Sequence, residues 1–119
     1  MKITKQTIID KAELLGWCVE FREQENYRTK KKEKYAEFSK YSPAGEDFFF
    51  GAWYDKIEDL PELVAEYYDG FDIDEHVETW VIAKRNGARG VLPIRVLIKD
   101  AEAIDEMLKK LSDALRVAN

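Results

Sequence analysis

The sequence predicts an α+β fold: an N-terminal helix, a three-stranded antiparallel meander, then two to four C-terminal helices packed on the sheet. Three observations predict it. The hydrophobic period drops from helical spacing to two at Gly16, and an alternating run and an aromatic one are joined by the short turn SPAGED. Near the end, Leu97, Ala101, Ile104, Leu108, Leu111 and Leu115 recur in steps of 4, 3, 4, 3 and 4, the seam of a long amphipathic helix.

The first helix opens at Thr4, a good N-cap, with Ile3 and Ile8 at staple positions, and Ala12 and Leu15 continue its apolar stripe. Gly16 stops it, because glycine takes the left-handed conformation without a Cβ penalty. Trp17, Val19 and Phe21 then share one face of a first strand, with Cys18, Glu20 and Arg22 on the other. The run QENYRTKKKEK has no apolar period and reads as a long basic hairpin loop. EKYAEFSKY follows as strand two, with Ala36 and Phe38 on one side and Tyr35, Glu37, Ser39 and Tyr41 on the other. DFFFGAWY is strand three. It is apolar on both faces, with Phe48, Phe50 and Ala52 against Phe49 and Trp53, so its second face is either covered by a helix or a contact surface.

Asp59 and Glu62 are spaced as a capping box around Pro61, and the helix they open runs to a stop at Gly70. Asp72 caps the next helix, with Glu75 as its reciprocal partner, Val77, Trp80 and Val81 inward, Lys84 and Arg85 in the last turn, and Asn86-Gly87 as the stop. In the final helix, Asp100 is positioned to cap a second segment if the chain bends after VLPIRVLI.

At 119 residues and 13.9 kDa, the chain is expected to be one domain, 1–119, with a core that needs no staples. A lone Cys18 and an N-terminal segment without a signal-peptide apolar core predict a cytoplasmic protein. No apolar run approaches the ~18 residues of a membrane span. The net charge of −5 is unevenly laid out: +3 over residues 1–40, −11 over 41–83 and +3 over 84–119. Such asymmetry bears on partners and association rate.

The stretch YDGFDIDEHVETW is dense in potential metal ligands, but it fails the rules for them. An EF-hand loop would need an acid or amide where His76 stands and glycine where Val77 stands. One His and one Cys cannot complete a typical zinc site. No metal or other cofactor is expected. His76 reads as a solvated helix residue without a catalytic partner, and Cys18 as a small packing residue beside Trp17. Gly87 and Gly90 follow no strand and make no phosphate loop. Enzyme activity is not expected.

Two charged features remain as candidate sites. Glu58, Glu62, Glu66 and Asp69 recur at steps of 4, 4 and 3, and Asp74, Glu75 and Glu78 follow on the next helix. One helical turn spaces neighbours by ~5.4 Å, comparable with phosphates along a nucleic-acid strand, so these seven acids can imitate a short duplex or simply be a solvated face. Tyr35, Phe49 and Trp53 are candidate aromatic anchors beside them. The second feature, YRTKKKEKY, mixes Arg28, Lys30, Lys31, Lys32 and Lys34 with Tyr27 and Tyr35, a combination suited to single-stranded nucleic acid and equally to a solvated loop.

The segments EFSKYSPAGEDFFF, FDIDEHVETW and GVLPIRVLIKDAEAIDEMLKKLSDAL, in this order, resemble a group of small proteins carried by phages and conjugative elements of Gram-positive and gut bacteria. The likeness spans residues 35 to 116 and implies a mobile-element accessory protein, with no catalytic residue to carry over. The element order also looks like that of acidic anti-CRISPR proteins, which occupy the DNA-entry site of an RNA-guided nuclease. With only −5 overall, such mimicry here must act locally, against a basic cleft that reads a short duplex motif.

The expected function is therefore non-enzymatic inhibition of a host defence nuclease, anti-CRISPR or anti-restriction, by protein binding through the acidic surface. The alternatives are a nucleic-acid-binding accessory protein that uses the basic loop, or an oligomeric structural module, with a homodimer as its simplest form.

Overall fold

The computed structural model describes residues 2–117 and has the expected α+β architecture. Helix α1 (Lys5–Leu14) leads into strands β1 (Cys18–Glu25), β2 (Lys32–Tyr41) and β3 (Asp47–Tyr54). A 3-10 turn (Ile57–Asp59) then precedes helices α2 (Leu60–Gly70), α3 (Ile73–Arg85) and α4 (Ile94–Arg116). The sheet is an antiparallel meander of order β1-β2-β3, which leaves β1 and β3 as edges.

Local chemistry sets the element ends. Thr4 accepts from the Thr7 backbone N–H at 3.1 Å and caps α1. At the other end Gly16, at φ +85°, donates to the Glu13 carbonyl while Trp17 reaches back to Ala12, a Schellman closure. Gly87, at φ +94°, ends α3 in the same way.

The core lies between the inner face of the sheet and the helices. Trp17, just ahead of β1, and Phe38, Phe48 and Phe50 from the sheet meet Ile8 and Ala12 of α1, Leu60 and Val64 of α2, and Ile104, Leu108, Leu111 and Leu115 of α4. Each such large side chain contributes about 1.5–3 kcal/mol on burial. A smaller cluster, Val77, Leu97 and Ala101, joins α3 to the N-terminal half of α4. Among the described residues no helix is long and apolar enough to cross a membrane.

Several local expectations are corrected. The basic loop is short, because β1 continues to Glu25 and β2 already begins at Lys32. The register sets Glu23 opposite Lys34 and Glu25 opposite Lys32, and opposite charges facing each other favour the longer ladder. Asp59 does not cap α2; it accepts from the Lys56 N–H at 3.3 Å, within the 3-10 turn that enters the helix. The stop expected at Gly70 does hold: it is the last residue of α2, and the chain leaves through an extended Phe71. Asp72 caps α3 by accepting from Asp74 and Glu75 N–H, but among the described residues no reciprocal bond from Glu75 closes a box. Helix α4 runs unbroken through Asp100, which caps nothing in its own helix. Cys18 lies exposed on the outer sheet face rather than in packing.

Candidate functional site

The acidic surface is built by two short helices whose inner faces are fixed by packing. Because Leu60 and Val64 are buried, Glu62, Glu66 and Asp69 project from the opposite side of α2, with Glu58 exposed in the preceding turn. Val77 plays the same part in α3 and leaves Asp74, Glu75 and Glu78 exposed. None of these seven carboxylates is in an ion pair; among the described residues such pairs join only Arg22 to Glu20 and Glu37, and His76 to Glu46. Glu62 and Glu66 repel at i, i+4 spacing, a cost of about 0.2–0.5 kcal/mol to the helix. Their field is left to solvent or to a partner.

The two helices meet around shallow depressions. Glu66 and Glu75 line one of about 470 Å³ together with Tyr67 and His76. Asp69, Asp72 and Asp74 line another of about 560 Å³, where Glu102 and Asp105 of α4 join them. Sequence reasoning missed these last two acids. A signal was present: Ile98, Glu102 and Asp105 each follow a seam residue by one position, so they flank the buried stripe of α4 on one side.

His76 is not a solvated residue. It is largely buried, with Nε2 2.9 Å from Glu46 Oε1, the same oxygen that accepts from Trp80 Nε1 at 2.8 Å. The rings of Phe48 and Phe71 stand 5.8 and 5.4 Å from its own. Asp100, buried at 7% exposure, accepts from Ser42 Oγ at 2.6 Å and from the Ala44 N–H at 2.9 Å. The β2–β3 turn is thus held by α3 through Glu46 and by α4 through Asp100. Burial, and then the Glu46 carboxylate, raise the Tyr67 phenol above its ordinary pKa; its ring stacks on Phe50 at 4.3 Å.

The expected aromatic anchors lie elsewhere. Tyr35, Phe49 and Trp53 stand on the outer face of the sheet, whereas α2 packs on the inner one. The expected single surface therefore divides in two, because consecutive side chains of a strand point to opposite faces. No helix covers the outer face: Phe49 is 62% exposed and Trp53 54%. Tyr35 leans across β3, its ring 4.8 Å from that of Trp53 and its hydroxyl filling the space where a Cβ on Gly51 would be. Arg22 neighbours Tyr35 on the same face, and its guanidinium is raised in pKa by its hydrogen bond to Glu20 and by the Glu37 charge.

At one end of that face is the β1–β2 hairpin. Asn26 organises its tip, accepting from the Arg28 and Thr29 N–H groups and donating to Glu33 at 2.6 Å, while Lys30 takes a left-handed φ of 56°. Arg28, Lys30, Lys31 and Lys32 are exposed. Lys34 is half-buried and directs Nζ at the Asp55 carbonyl 3.4 Å away, so it does not belong with them. Among the described residues no three of His, Cys, Asp or Glu come together in a metal-holding arrangement. Comparison with known proteins gives no matching family, no similar curated protein and no similar solved structure.

Proposed function

We propose that the protein is a non-enzymatic inhibitor of a host defence nuclease, of the anti-CRISPR or anti-restriction kind, and that it binds the nuclease through the acidic surface of α2 and α3. The observation that carries this reading is the set of seven exposed, unpaired carboxylates on two adjacent helices, widened by Glu102 and Asp105. Glu66, Asp69, Asp74, Glu75 and Glu78 steer a basic cleft and gain most where that cleft excludes water, whereas Glu58 and Glu62 border a pocket that Lys2, Lys11 and Arg116 also line. The resemblance of three segments to mobile-element proteins supports a nuclease of the host as the target.

Pull-down against a panel of RNA-guided and restriction nucleases tests it, with cleavage assayed in the same samples. Capture and inhibition by the natural chain, and loss of at least tenfold in affinity in E62K/E66K/D69K, are the expected results. Inhibition undiminished by the charge reversal would remove the acidic surface from the mechanism.

A further inference from the structure

The outer sheet face and the basic hairpin tip adjoin as a second surface, aromatic on the sheet and positive at the tip. Trp53 and Tyr35 pair across the ladder at the hairpin end of the sheet, and Lys31 at the tip is four residues from Tyr35, about 13 Å at strand rise. Lys32, three residues from Tyr35 and opposite Glu25, projects from the inner side and is no part of this surface. None of Arg28, Lys30 and Lys31 is in an ion pair among the described residues. Tyr27 at the tip is 95% exposed. Gly51 carries no side chain and gives Tyr35 its place on β3, which seats the pair of rings low against the strand. On this face Glu20 and Glu37 are engaged by Arg22 at 2.7 and 3.9 Å, and Glu33, two residues from Tyr35 on the hairpin side, accepts from Asn26 Nδ2 at 2.6 Å.

We propose that this face binds single-stranded nucleic acid, with bases stacking on Trp53 and Tyr27 and phosphates following the hairpin cations. Charge complementarity selects this occupant. The uncovered rings lie on the face that leads to three free cations at the hairpin tip, Arg28, Lys30 and Lys31, and stacking on them requires bases that no duplex partner holds. Every base offers a π-face, so the contact is tolerant of sequence, and a run of about four nucleotides fits the span from the tip to Trp53.

Fluorescence anisotropy of labelled oligo(dT) and oligo(rU), beside a duplex of equal length, tests it on the whole protein. The single strands are expected to bind at ~50 mM salt and to weaken about twentyfold by ~200 mM, as three cations release counterions. K30A/K31A should flatten that dependence to about threefold. Trp53→Ala should weaken binding about tenfold and leave the salt dependence unchanged. Should Trp53→Ala unfold, Tyr27→Ala, whose ring supports no packing, should give the same loss. The proposal is overturned by absence of oligonucleotide binding at low salt, the outcome if the face docks a protein instead. Equal affinity for the duplex, or binding that neither aromatic substitution weakens, overturns it too, since both describe a charge-only contact.

Discussion

Strand β3 carries aromatic residues on both faces, and the two sets have opposite surroundings. Phe48 and Phe50 lie under α2 and α4, with Phe50 only 4% exposed, sandwiched between Phe38 and Tyr67 at 5.1 and 4.3 Å. Phe49 and Trp53, alternating with them in the same strand, stay more than half exposed, Phe49 at the border of a pocket that Trp80, Val91 and Leu92 also line. The residue types are alike, so hydrophobicity alone does not decide which ring becomes core. What packs against each face decides it, and an aromatic set that stability does not use is left free for contact.

The largest effect separates the two faces directly. Phe50→Ala should cost about 3–5 kcal/mol through lost transfer energy and a cavity. Phe49→Ala should cost less than about 1 kcal/mol, because the ring is already wet. Urea unfolding of the two variants measures this, and equal losses would erase the distinction between the faces.

A smaller effect probes how the outer face is assembled. Gly51→Ala places a methyl group where the Tyr35 hydroxyl lies and should cost about 1–3 kcal/mol by overpacking. In a Tyr35→Ala background the same change should cost almost nothing, so a double-mutant cycle will give a coupling energy near the single-variant loss. Additive losses would mean that Tyr35 does not rest on Gly51.

The smallest effect belongs to the inner face. Tyr54 buries a hydroxyl that has no protein partner, so Tyr54→Phe should be neutral or stabilising by up to about 1 kcal/mol. Burial, and then the Glu23 charge, raise its pKa above 10.0, and Tyr67 is raised from the same value. A phenol raised on folding contributes stability that is whole below the unfolded pKa and lost as pH rises through the folded one. Unfolding stability should therefore decline above a pH of about 10, and more gently in Y54F/Y67F. An identical decline in that double variant would mean that neither phenol is responsible.

What was legible in the sequence was local. The closure at Gly16, the cap at Asp72 and the seam of α4 each depend on neighbours a few residues away, and period and capping chemistry are enough to read them. The alternation of β3 also told which rings share a face. Whether the second face is covered depends on where the helices go, and no local pattern carries that. The partners of Glu46 are 30 and 34 residues distant and those of Asp100 are 58 and 56, so His76 looked solvated and Asp100 looked like a cap. The sequence predicts too long a hairpin loop because Glu25 and Lys32 support each other only once the register sets them opposite. The seven acids were legible as one stripe per helix, whereas their neighbours Glu102 and Asp105 join them only through the packing of α4 beside α3.

The proposed division, with an acidic helical surface as the nuclease-binding side and the aromatic sheet face outside that contact, is tested most directly by one pair of affinities. Binding of a captured nuclease is measured for E62K/E66K/D69K and for W53A side by side, each checked for an unchanged melting temperature. The charge-reversed chain should lose at least tenfold in affinity while W53A binds as the natural chain does. Loss in W53A with the charge-reversed chain unaffected would contradict it and place the nuclease on the sheet.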